Sequence, residues 1–197
     1  MNPDNLIPEQ RTGGYSDTVS SEKFDSSLQA QHHFSLVKHR FFDIKNWSEY
    51  AKVPGAEFQL YNAAAAEADG KPQVGYYFRI TMPFPKNPAG QESDWVQVEE
   101  IQEGENFAAM RVRPVHSPLG SETEETHFFQ DEATSTFIVK CVADEVFAEV
   151  HGRNEKPNIS AEYGIIENIR NAAVAIGGML FGSKFQWKSL TAGLVEK

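Results

Sequence analysis

Five ionisable side chains stand in strand-like stretches from which a carboxylate or an imidazole could act on a bound molecule: Glu99, Glu125, His127, Glu149 and His151. General acid/base chemistry needs such a group held in a cavity with a shifted pKa. Each of the five has apolar sequence neighbours, however, and period-two alternation turns most of them towards solvent, away from the apolar face. No catalytic role is assigned to any residue. Nucleophilic chemistry has less support, since no GxSxG elbow exists and the single cysteine, Cys141, sits mid-strand as a small core residue. Of the six histidines, His32, His33 and His39 cluster, and His32 and His39 are seven apart on one helix face. Seven residues rise about 10 Å, too far for both to reach one zinc ion. No metal and no cofactor is expected.

The elements that position these residues are read from hydrophobic rhythm. Residues 1–23 are polar and rich in turn formers, an N-terminal arm ahead of a single domain over 24–197. Phe24, Ser26, Leu28 and Ala30 alternate as a first strand, and Ala30, Phe34, Val37, Phe41 and Ile44 then step at helical spacing, giving a helix over 31–43. Pro54 and Gly55 form a turn before a strand over 57–63. Tyr76, Phe78, Ile80 and Met82 alternate with Tyr77, Arg79 and Thr81, the clearest strand in the chain. A rigid loop with Pro83, Pro85 and Pro88 follows, and further strands are read over 95–101, 106–113, 122–130, 134–142 and 146–151, separated by turn signals. HGRNEKPN, residues 151–158, reads as the turn that ends the sheet. Ser160 caps a long helix to about Leu190, on which Ile166, Ile169, Ala173, Ile176, Leu180 and Trp187 form one apolar stripe.

Strand, helix, antiparallel meander and final helix, together with Asp43 and Trp47 in the segment FFDIKNWSEYA, resemble the START/Bet v 1-like superfamily, also called SRPBCC or polyketide-cyclase-like. The resemblance covers about residues 20–195. It implies an α+β helix-grip, in which a curved antiparallel sheet wraps a long C-terminal helix and encloses an elongated pocket for apolar molecules. No catalytic residue of the family carries over to a position here.

Alternation puts Tyr76, Phe78, Ile80, Met110, Phe137 and Val139 on the face turned towards the final helix. Gly177 and Gly178 interrupt that helix, and glycine inside a helix costs about 1 kcal/mol relative to alanine. Room for a ligand and close helix-to-sheet packing both account for the pair. The expected site is therefore Tyr76, Phe78, Ile80, Met110, Phe137, Val139 and Gly178, and the expected function is binding of a small or medium apolar molecule. Two alternatives stand beside it, a polyketide cyclase or dehydratase and a co-chaperone-like interaction module.

Charge narrows the partners. The net charge of −10 repels phosphate backbones and anionic membranes, and the basic stretch Lys38, His39, Arg40 and Lys45 reads as a solvated helix face. Nucleic acid is not an expected partner. The longest apolar run, residues 172–182, is too short for a bilayer, which needs about 20 residues, so no membrane span is expected. With one cysteine and no signal-like leader, a cytoplasmic location is the expectation.

Overall fold

The computed structural model describes residues 2–52, 57–81, 93–120, 132–156 and 187–197. A 3-10 turn, Pro3–Leu6, precedes strand β1 (Gly14–Lys23), helix α1 (Ser27–Phe42) and the short helix α2 (Trp47–Ala51). Strands β2 (Glu57–Tyr61), β3 (Tyr77–Thr81), β4 (Ser93–Glu103), β5 (Phe107–Pro114), β6 (Thr134–Val142) and β7 (Glu145–Glu155) follow. Residues 187–195 are helical and are called α3. The strands form one seven-stranded antiparallel sheet in the order β1-β7-β6-β5-β4-β3-β2. Consecutive strands from β2 to β7 pair as a meander, and α1 with α2 carries the chain from one sheet edge to the other. This is the α+β helix-grip architecture, a curved sheet with a C-terminal helix. Of the helix expected over 160–190, only the part from Trp187 lies within the described residues.

The first strand is displaced from its expected place. Residues 24–30 do not form it; Ser26 caps α1, its Oγ accepting from the Gln29 amide at 3.3 Å, and the helix begins at Ser27. The strand is Gly14–Lys23, inside the stretch read as an arm, paired with β7 from Gly14 to Lys23. Its inward positions are Thr18 and Ser20, both buried, while Tyr15 and Val19 are exposed. The hydroxyls face in and the apolar groups face out, so hydrophobic alternation gave no signal. Ser20 Oγ and Thr191 Oγ1 lie 2.8 Å apart, and this bond ties β1 to α3.

The segment read as a closing turn is also strand. β7 runs on to Glu155, with Gly152 opposite Ser16 and Ser135, and the left-handed Asn154, at φ 57, sits where the register with β1 shifts without ending the pairing.

Asp43 and Trp47 build the corner between α1 and α2. Asp43 Oδ2 accepts from Asn46 Nδ2 and from the Tyr50 hydroxyl, each at 2.9 Å. Burial and the hydrogen bond to this carboxylate push the Tyr50 pKa up to about 12. The Trp47 indole is fully buried, and its Nε1–H donates to the carbonyls of Arg40 and Phe41, each at 3.2 Å. Those carbonyls belong to the last turn of α1, where the Arg40 carbonyl also accepts from the Asp43 amide at 3.2 Å. Arg40 then reaches across to α3, where its Nη1 donates to the carbonyls of Leu194 at 3.0 Å and Glu196 at 2.6 Å.

Candidate ligand-binding site

Cross-strand register gathers the predicted wall on one face of the sheet. Phe58 stands opposite Ile80, Leu60 opposite Phe78, and Phe78 opposite Val96. Met110 stands opposite Phe137 and Phe137 opposite Val150, while Val139 lies between Ala108 and Ala148. All of these belong to one apolar cluster with Trp47, Leu190 and Leu194. Tyr76 lies just ahead of β3 and is partly buried against the same cluster. Gly178, the seventh predicted residue, lies outside the described residues.

Burial along this wall is graded. Phe78, Met110 and Val139 are 0% exposed and have protein against them on every side, whereas Ile80 at 8% and Val96 at 9% keep some accessible surface. The cause of the packed half is Trp47, whose ring sits 5.6 Å from Phe58, 5.8 Å from Phe78 and 5.1 Å from Phe137 between centroids. From Phe137 the aromatic chain continues to Trp187, at 5.3 Å and 80° between planes. Edge-to-face contacts of this kind are a favoured arrangement of aromatic quadrupoles.

The candidate acid/base residues are not on this wall. Glu149 and His151 lie on the opposite, outer face of the sheet, as their register with Ile138 and Thr136 requires. They are buried all the same, at 7% and 9% exposure, which corrects the expectation that they point to solvent. The reason is an ionic chain. His151 Nδ1 meets Asp17 Oδ1 at 2.6 Å, its Nε2 meets Glu149 Oε2 at 2.9 Å, and Lys140 bridges Glu149 at 2.8 Å and Asp4 at 3.2 Å. Burial works against the imidazolium, but the two carboxylates outweigh it and hold the His151 pKa above its ordinary value. Burial likewise opposes ionisation of Glu149, and the bonds from His151 and Lys140 keep its carboxyl below the usual range. With a carboxylate against each ring nitrogen, both hydrogen-bonding positions of His151 are taken up within the sheet.

Glu99 is held on the outer face as well. A bulge in β4 between Val98 and Glu100 places both glutamates beside Arg111, with Glu99 at 3.0 Å from Arg111 Nε and Arg113 Nε, and Glu100 at 3.1 Å from Arg111 Nη2. Arg153 pairs with Asp17 at 2.8 Å on that face too, away from the wall. Glu125 and His127 lie outside the described residues. Cys141 is buried in the apolar cluster, and burial raises its thiol pKa, as suits a packing residue.

Sequence reasoning missed the outer-face chain, because Asp4, Asp17, Lys140, Glu149 and His151 come from distant segments and only the strand pairing assembles them. It also missed an open groove of about 520 Å³ between β1, α2 and α3, lined by Ser20, Glu22, Tyr50, Lys52, Lys188 and Gly193. The groove has a mixed polar and apolar lining, and its charges are spoken for. Lys52 bridges Glu196 at 2.6 Å, Lys188 donates to the Val19 carbonyl at 2.6 Å, and Lys197 meets Glu22 at 2.7 Å. No helix among the described residues is long and apolar enough to cross a membrane.

No family model matches the chain, and no curated protein matches it in sequence. Solved structures are similar to it in fold. A hypothetical protein from Helicobacter pylori is 13% identical with a TM-score of 0.53, the match covering 92% of this chain and 88% of that one. The Zhui aromatase/cyclase from a Streptomyces species is 6% identical with a TM-score of 0.52, covering 92% and 93%. A START superfamily protein from Mycobacterium smegmatis is 10% identical at a TM-score of 0.41, covering 91% and 100%. At these identities the likeness is one of architecture alone, an antiparallel sheet with a C-terminal helix.

Proposed function

We propose that this chain binds a small or medium apolar molecule between the concave face of the sheet and the C-terminal helix. The molecule lies at the less tightly packed half of the wall, against Ile80 and Val96, with Tyr76 and Trp187 beside it and with Phe78, Met110, Phe137 and Val139 as the rigid backing. Gly178 belongs to this proposal on sequence grounds, as the position where an absent side chain leaves room above the wall. The observation that carries the reading is the graded burial, solid around Trp47 and looser towards Ile80 and Val96. Apolar walls with few polar groups suit ligand recognition by shape and by apolar contact. A cyclase or dehydratase needs a polar pair on the same wall, and Glu99, Glu149 and His151 are committed to ion pairs on the other face.

Titration with a naphthalene-based or fatty-acid fluorescent probe tests the proposal. Ile80→Glu is expected to weaken the probe tenfold or more, equivalent to about 1.4 kcal/mol. Val142→Glu, at an exposed position in β6, is expected to leave affinity unchanged. A folded Ile80→Glu protein with parent affinity would rule out this location.

A further inference from the structure

We propose that the outer face of the sheet carries a docking socket for an acidic peptide with aspartate two residues before leucine, and that residues 2–12 of the chain itself occupy it at rest. Leu6, 1% exposed, forms a small separate cluster with Ala109 of β5 and Ile138 of β6, and Ile7 packs against it. Asp4 reaches Lys140 Nζ at 3.2 Å, and the Leu6 carbonyl accepts from Arg111 Nη1 at 3.3 Å. These three contacts use one carboxylate, one isobutyl group and one carbonyl, which any extended acidic peptide of that spacing presents.

The strap is laid on the sheet and is not part of it. Among the described residues, no hydrogen bond joins the backbone of residues 3–8 to the backbone of the sheet; their backbone bonds are local, from Asn5 to Asn2 and from Ile7 to Asp4. The strap is instead secured further along, at a second anchor. Asn154 Oδ1 accepts from the amides of Arg11 at 2.8 Å and Thr12 at 3.1 Å, and the Asn154 amide donates to Gln10 Oε1 at 2.9 Å. Release of the Asp4–Leu6 contacts therefore leaves the seven-strand ladder and the Asn154 anchor in place. It uncovers an apolar socket flanked by two cations, Arg111 and Lys140, with the unpartnered Thr136 Oγ1 directly opposite Arg111 in register. Those cations keep their carboxylate neighbours Glu99, Glu100 and Glu149, so the socket favours a single added acid at the Asp4 position rather than a run of them.

Tethering gives the resident strap an effective concentration in the millimolar range, so a partner competes only when the strap is weakened or the partner is locally concentrated. The full-length Leu6→Asp protein, with the strap's apolar anchor lost, is titrated with a fluorescently labelled peptide comprising residues 2–12, and binding is read by anisotropy. Saturable binding to Leu6→Asp, at least tenfold tighter than to the parent, is expected, and adding Lys140→Glu is expected to abolish it. If circular dichroism shows Leu6→Asp to be misfolded, Asp4→Ala releases the other contact more gently and is expected to give the same order. A folded variant that binds the peptide no better than the parent, or binding indifferent to Lys140→Glu, would overturn the proposal.

Discussion

Trp187 stands edge-on to Phe137, ring centroids 5.3 Å apart and planes at 80°. This contact joins the C-terminal helix to the wall of the sheet. An apolar molecule seated between that wall and the helix is expected to perturb Trp187. Trp95 offers a control, because it stacks with Tyr61 at 4.8 Å on the other face. In single-tryptophan variants, an apolar probe is expected to quench or shift the emission of Trp187 and to leave Trp95 unchanged. Equal response of both indoles would place the probe elsewhere.

Trp47→Ala is expected to destabilise the chain by about 3–5 kcal/mol, the range for removing a fully buried indole. Trp47→Phe keeps most of the volume and loses only the bonds to the Arg40 and Phe41 carbonyls, so it is expected to cost about 1–3 kcal/mol. Urea denaturation with unchanged slope measures both, and the reverse order would contradict the role given to this ring.

The recognisable part of the fold was that which rests on apolar rhythm. The Phe78 and Ile80 alternation, the α1 stripe of Phe34, Val37 and Phe41, and the β6 bounds could all be read because buried carbon faces recur at the period of their element. β1 could not, since it turns Thr18 and Ser20 inward. The inward set on β3, β5 and β6 was legible for the same reason as the strands themselves. The ionic chain through His151 was not, because a charge's partner is set by strand register and by where residues 2–12 are laid down, neither of which leaves a local pattern.

Gly193 shows the same limit. A β-carbon there would collide with the Tyr50 carbonyl, so α3 approaches the end of α2 only because the side chain is missing. Glycine-to-alanine changes in helices ordinarily stabilise by about 0.5–1 kcal/mol. Here the backbone collision dominates, and Gly193→Ala is expected to destabilise by about 1–3 kcal/mol in thermal or chemical denaturation. A stabilised Gly193→Ala protein would show that α2 and α3 do not pack this way.

The clamp on His151 makes stability depend on pH with a definite sign. Its folded pKa lies above the unfolded 6.5, so the stability it supplies is fully present below pH 6.5 and is lost as pH rises through the folded value. Glu149 and Asp17 behave oppositely. Their folded pKa values lie below 4.5 and 3.8, so their contribution is present above those values and disappears as pH falls through the folded ones. Denaturant midpoints are expected to decline on the alkaline side of pH 6.5, and His151→Gln is expected to remove that alkaline dependence while lowering stability at pH 6. An unchanged alkaline decline in His151→Gln would assign it to another group.

Native mass spectrometry of the freshly purified chain, repeated after incubation with graded apolar compounds, tests the binding account most directly. The account predicts a discrete adduct of one small molecule per chain, either carried through purification or formed on incubation, and lost in Ile80→Glu. A bare chain under both conditions, or an adduct that persists unchanged in folded Ile80→Glu, would contradict it.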